Sequence, residues 1–193
     1  MSIVLVGSTS GSITLQEPAV AGTTTIDLPA TSGTVLVAPT ALTVPNTTGT
    51  VMVSGNMPAF SAYQSSGQSA NSGTFTKIQL QTEEFDTASA FDSTTNYRFT
   101  PQVAGYYQVS ASIQFSFSTG QNLISIYKNG SRFKDGSFGT GGTDGTTSVV
   151  SALINLNGST DYIEVYCYQN TGTAKTTVNG ANNTYFQAVM VRN

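Results

Sequence analysis

Nucleophiles are plentiful in this chain, and nothing stands ready to activate them. Ser and Thr fill roughly 27% of its 193 residues, yet there is no His and no Gly-x-Ser-x-Gly elbow. Without His the usual proton shuttle and the commonest metal ligand are missing, which excludes His-based triads and most zinc sites. The single cysteine, Cys167, can form neither an intramolecular disulfide nor a Cys-cluster metal site. Within Tyr166-Cys167-Tyr168 it reads as a small buried thiol. Paired carboxylates for sugar cleavage remain formally open, but no Trp is present to stack a sugar ring. The one acidic cluster, Glu83-Glu84-Phe85-Asp86, offers the oxygen ligands that calcium takes, and Asp135 and Asp144 flank a Gly-rich loop. No regular ligand spacing accompanies these acids, so a solvated loop is expected, with no metal, no cofactor and no catalysis. A second cluster carries a binding expectation. Lys128, Asn129, Arg132, Lys134, Asp135 and Phe138 combine charge, amide and aromatic character around one turn. Loops on a rigid scaffold are where binding residues usually sit. These six are therefore the candidate ligand-binding loop, and the alternative is an ordinary solvated turn.

The elements that must position them follow from composition. Charged residues make up 9% of the chain, its net charge is -3, and it holds 19 Gly. Few residues here favour helices, whereas Ser, Thr, Val, Tyr and Phe suit strands and turns. The expected class is all-β. Seven Lys and Arg, spread singly, give no basic patch, so nucleic acid is not an expected partner. The apolar run Ile3-Val4-Leu5-Val6 is far short of the about 20 residues of a membrane span and lacks the form of a secretion signal. No membrane insertion is expected.

Composition shifts near Pro58. Residues 1–57 contain two charged side chains, Glu17 and Asp27, and no aromatic residue; every Tyr and Phe lies at or after Phe60. The first segment repeats with an offset of sixteen: Ile26-Asp27-Leu28-Pro29, then Gly33-Thr34-Val35-Leu36-Val37, aligns with Leu42-Thr43-Val44-Pro45, then Gly49-Thr50-Val51-Met52-Val53. A partial third copy lies in Thr9-Ser10-Gly11-Ser12-Ile13-Thr14-Leu15. Alternating aliphatic residues give each strand one dry face that a single chain cannot enclose. The expectation is an intertwined homotrimeric β-stalk over 1–57, with a Thr-rich linker as the alternative. A neck is expected over 58–73 and a head over 74–193. Strands are predicted over 74–80, 97–99, 105–118, 123–128, 148–156, 162–169 and 184–191. Asn129-Gly130 and Asn157-Gly158 are predicted hairpin turns, and Gly139-Thr140-Gly141-Gly142-Thr143-Asp144-Gly145 an exposed flexible loop. Seven or eight strands indicate a two-sheet sandwich or jelly roll.

Four ordered stretches of the head resemble the globular heads of complement C-one-q and tumour necrosis factor. They are Phe99–Val109 (with Gly105-Tyr106-Tyr107 inside it), Leu123–Gly130, Ser151–Val165 and Thr184–Val191. The resemblance implies a jelly roll and a trimer. Gly11-Ser12-Ile13-Thr14-Leu15 together with Ile26-Asp27-Leu28-Pro29 resembles bacteriophage tail-fibre and virion structural proteins. The combined expectation is a homotrimeric phage fibre in the virion, assembled in the host cytoplasm. Its stalk would join other virion proteins, and its head would bind a host cell-surface ligand. A capsid decoration, cement or head-fibre trimer is the alternative, and a cellular cytokine-like ligand a weaker one.

Overall fold

A computed structural model describes residues 2–6, 12–16, 57–143 and 145–192. The chain divides into two units, Met1–Asn46 and Thr47–Asn193. In the first, β1 (Ser2–Val6) pairs antiparallel with β2 (Ser12–Gln16), setting Ile3 opposite Leu15 and Leu5 opposite Ile13. The two full repeat copies at 26–37 and 42–53 lie outside the described residues, so of the segment expected as a stalk over 1–57 the structure describes β1, β2 and Met57.

The second unit holds strands and no helix among the described residues. In chain order these are β3 (Ala59–Tyr63), β4 (Ser69–Ala70), β5 (Thr76–Lys77), β6 (Thr82–Asp86), β7 (Phe91–Asp92), β8 (Arg98–Phe99), β9 (Gly105–Phe115), β10 (Gln121–Lys128), β11 (Ser131–Thr140), β12 (Thr146–Leu156), β13 (Ile163–Gln169), β14 (Lys175–Thr176) and β15 (Tyr185–Arg192). One sheet runs β12-β9-β15-β3-β6. The other runs β11-β10-β13-β8-β7, with β5 also paired to β13, and β14-β4 form a short ribbon. Strand alternation makes the core: Tyr107, Val109, Ala111, Ile113 and Phe115 of β9 point inward to meet Ile124, Ile126, Val165 and Cys167 of the facing sheet. Phe60 is the centre of its aromatic part, stacked on Phe91 at 4.8 Å and Phe99 at 4.5 Å and edge-on to Phe186 at 5.0 Å. Each such ring contributes about 1.5–3 kcal/mol through burial.

The ladders define two ends. Ala59 pairs with Val189, Leu156 with Gly105 and Lys128 with Ile163, so the turns 129–130 and 157–162 share the proximal end with Pro58, where the chain enters the sandwich. Tyr63 pairs with Tyr185, Thr146 with Phe115 and Asn122 with Gln169, so the loops 116–120, 141–145 and 170–174 lie at the distal end.

Several expectations need correction. Residues 58–73 are no neck linker: they supply β3 and β4, and Phe60 is 1% exposed. The strand expected over 74–80 shrinks to β5; just beyond it Ile78 still donates its N–H to Val165 O at 2.8 Å, and Ile78 and Leu80 fill the core. β6, β7 and β11 were not anticipated. The expected loop over 139–145 begins later, because β11 runs to Thr140. Asn157-Gly158 does not close a hairpin: β12 and β13 belong to different sheets, and the turn crosses between them. The Asn157 side-chain oxygen accepts the N–H groups of Ser159, Thr160 and Asp161 at 2.9–3.0 Å, capping the crossing. Asn129-Gly130 does close the β10–β11 hairpin, with φ of 53° and 76°.

Candidate functional site

The six residues expected as a ligand-binding loop are spread along an edge strand. Lys128 and Asn129 sit at the proximal end and are tied to the protein itself. The Lys128 ammonium lies 2.9 Å from Asp161 Oδ2 and donates to Asn155 O at 2.7 Å. Asn129 donates to Asp161 Oδ1 at 2.8 Å and accepts from Tyr162 N at 2.9 Å. Those two partners, Asn129 first, hold the Asp161 carboxyl below the usual aspartate range. Arg132 and Asp135 form a bidentate pair at 2.6 and 2.7 Å, and Ser125 Oγ donates to Asp135 at 2.8 Å. The Arg132 guanidinium, which lowers the Asp135 carboxyl, also covers the Phe75 ring at 4.5 Å. Lys134 lies over its neighbour Phe133 at 5.3 Å. Phe138 stands 65% exposed toward the distal end, on the order of 20 Å along the strand from Arg132. The structure therefore does not bring the six into one turn.

The acidic cluster also disperses. Glu83 accepts from Ser93, Glu84 from Ser61, and Asp86 from the N–H groups of Ala88 and Phe91. Among the described residues no group of His, Cys, Asp and Glu could hold a metal ion. Cys167 is fully buried, and burial pushes its thiol up to about 12.

What the ladders do assemble is a face. The outward positions of β12, β9, β15 and β3 are set side by side by register: Val149–Ser112–Tyr185–Tyr63 in one row, Ser151–Ser110–Gln187–Ser61 in the next, and Leu153–Gln108–Val189–Ala59 in a third. Gln187 bonds Ser110 at 3.0 Å and Gln108 bonds Ser151 at 2.8 Å, so the amides on the face are partly satisfied within it. β3, β9 and β12 contain no charged residue, and β15 has only Arg192 at its end. On this sheet Tyr106, Val149, Leu153, Val189 and Val191 are 41–55% exposed. These apolar side chains alternate with neutral Ser and Gln, and charge enters only at the rim, at Arg192 and at Glu83, Glu84 and Asp86 of β6; such a surface suits a protein contact. Tyr106 and Tyr107 are adjacent on β9, so they point to opposite faces of the sheet. The structure resolves that pair: Tyr107 is buried, its hydroxyl donating to Val103 O at 2.7 Å, and Tyr106 lies on the open face.

The chain matches no protein-family model and no curated protein. Solved structures do share its architecture. Murine APRIL at pH 8.5 is similar with a TM-score of 0.53 and 10% identity, over 70% of this chain and 100% of that one. The Eiger TNF from S. frugiperda gives 0.53 and 12%, over 71% and 92%. The globular domain of zebrafish complement 1qA protein gives 0.51 and 15%, over 72% and 100%. At these identities the likeness shows the fold, and that fold is the jelly roll of the tumour necrosis factor and complement C-one-q heads.

Proposed function

We propose that this chain is a homotrimeric virion fibre protein whose jelly-roll head attaches to a bacterial surface. The observation that carries the assembly is the uncharged, half-open face of β12-β9-β15-β3. Three copies packing these faces together remove five large apolar side chains per protomer from water, with the nearest charges, Arg192 and Glu84, at the rim of the face. The repeat over 9–53, with dry faces that one chain cannot enclose and its resemblance to tail-fibre sequences, supports both the trimer and the virion. Attachment falls to the distal loops, which a trimer built on this sheet leaves open. Light scattering on the full-length protein tests the assembly, and antibody labelling of whole virions tests the location. Label on the tail with a mass of three chains is expected. Label on the capsid would replace attachment by a decorating role, and a monomer at micromolar concentration would remove the trimer.

A further inference from the structure

A ring of three copies cannot close by one patch meeting itself. Cyclic closure needs a heterologous contact, in which each copy offers two different patches, one to each neighbour. The open sheet has a distinct feature at each of its two edges. On β12, Val149 and Leu153 are 52% and 55% exposed, and between them stands the small, exposed Ser151. Val149 and Leu153 lie on the order of 13 Å apart along the strand, which leaves room for one aromatic ring over Ser151. At the opposite edge, on β6, Phe85 is 51% exposed and pairs with Ser61. Phe60 and Ala62 on either side of Ser61 belong to the core, so Ser61 and Phe85 project to the open side. The register shifts between Ser61 and Ala62, which places Glu84 beside Phe85 as an extra residue, bonded to Ser61 Oγ at 2.7 Å.

The ladder sets these two features at the same height. Ser151–Ser110–Gln187–Ser61–Phe85 is a single row across the sheet, with the Ser151 notch at one end and the ring at the other. Each chain enters its head at the proximal end, at Pro58, so the axis of a three-chain fibre runs from the proximal to the distal end, along the strands. Rotation about that axis keeps height, and it brings the ring of one copy to the notch of the next. Area points the same way. The five strands offer on the order of 600 Å² of sheet per protomer, close to the about 800 Å² that a specific interface takes from each partner. A contact that left out either edge would fall well short. Charge does not oppose it, because β12 carries no charged residue to meet Glu84.

We infer that Phe85 is the inserting anchor of the assembly: its ring seats over Ser151, between Val149 and Leu153, of a second copy of this chain, and the contact repeats around the ring of three. The pairing of β6 with the neighbour's β12 rests on the proposed trimer and adds to it the partner of each edge. Photo-crosslinking of the full-length protein with p-benzoyl-phenylalanine at position 85 tests it, since that residue keeps an aromatic ring in place and on irradiation joins a C–H bond within reach. Mixing heavy-nitrogen-labelled with unlabelled copies identifies the bonds that cross between chains. Those bonds join position 85 of one copy to the segment 147–155 of another. Phe85→Ala raises the concentration at which the trimer half-dissociates by at least about tenfold, as expected when half a ring is no longer buried at each contact, and Phe85→Leu recovers part of the loss. With light scattering giving the mass of three chains, bonds from position 85 to position 85, bonds to the sheet of β10 and β13, or no bond between chains overturn the seat and leave the trimer standing. Unchanged dissociation in Phe85→Ala overturns it as well. A parent protein with the mass of one chain removes the trimer, and the seat with it.

Discussion

Placing one carboxylate on the uncharged face should take the assembly apart while leaving the head folded. Leu153 on β12 is 55% exposed and shares its row with Gln108 and Val189. Burying a whole leucine side chain contributes about 1.5–3 kcal/mol, so covering the open half contributes about 1 kcal/mol per protomer. Five such side chains give on the order of 5 kcal/mol per protomer, most of which the translational and rotational cost of association offsets. The surplus is modest. Leu153→Glu removes about 1 kcal/mol per protomer and adds several for each carboxylate taken out of water without a partner, more than that surplus allows. Because the position faces outward, the isolated head should change in stability by less than about 0.5 kcal/mol. Light scattering should then report the mass of one chain for the variant and three for the parent, with both retaining a β-sheet circular dichroism spectrum. Phe138→Glu is the control: it is more exposed, at 65%, but belongs to the other sheet, and its mass should not change. A variant that stays trimeric at Leu153, or a trimer lost at Phe138, refutes the assignment of the face.

Three further outcomes are expected. Tyr107→Ala should cost about 3–5 kcal/mol in urea denaturation and Tyr106→Ala much less for the head itself, while Tyr107→Phe should cost about 1–2 kcal/mol by leaving Val103 O without its 2.7 Å bond; equal losses at 106 and 107 would mean the β9 register is wrong. Burial pushes Cys167 from 9.0 and Tyr107 from 10.0 up to about 12, so the folded head keeps protons that the unfolded chain releases. Their contribution is intact below pH about 9 and drains away toward pH about 12; Tm across that window should fall, and less steeply in Cys167→Ala, whereas a flat profile would contradict the burial. Asn129→Ala should cost about 1–2 kcal/mol, since it removes two bonds and strains a positive-φ position. Part of that cost should vanish in acid, because Asp161, whose lowered pKa stabilises the fold above pH about 4, loses its charge there; a pH-independent cost would exclude Asp161 from the effect.

The long central strands were legible in the sequence because their surroundings are two-sided. β9 and β12 each bury one face and expose the other, and a period of two survives in the residues. The expected bounds there differ from the observed ones by three residues at most. β11 was illegible for the opposite reason. At the sheet edge it is open along most of its length, so no alternation distinguishes it from a loop. Its glycines were misleading as well: a Cβ on Gly136 would run into Val149 O, so that glycine marks a close approach between strands rather than a turn. β3 failed on locality. Phe60 is surrounded by Phe91, Phe99 and Phe186, all remote in sequence, and its immediate neighbours are Ala, Ser and a polar run. The candidate site shows the same limit. Charge density around Lys128–Asp135 suggested an external ligand, yet Asp161, Asn155 and Ser125, which take up those charges, become neighbours only through the ladder.

The distribution of charge over the sandwich links the fold to the proposed assembly. All seven Lys and Arg lie in the head. Lys77, Arg98, Lys128, Arg132 and Lys134 occupy the sheet built on β10 and β13, where Lys77 pairs with the buried Glu164 at 2.5 Å and Arg98 lies 4.4 Å above the Tyr162 ring. Lys175 stands at the distal end; on the opposite sheet the charges are Arg192, 5.9 Å from the Tyr106 ring, and Glu83, Glu84 and Asp86 on its edge strand β6, all outside the central strands β12, β9 and β3. A head solvated equally on both sheets would gain nothing from this asymmetry, since a charge on either outer face would meet water. The asymmetry has a physical reason if one outer face is removed from water, where an unpaired cation costs several kcal/mol. Serine, glutamine and aliphatic residues remain acceptable there, because they can bond or pack against copies of themselves.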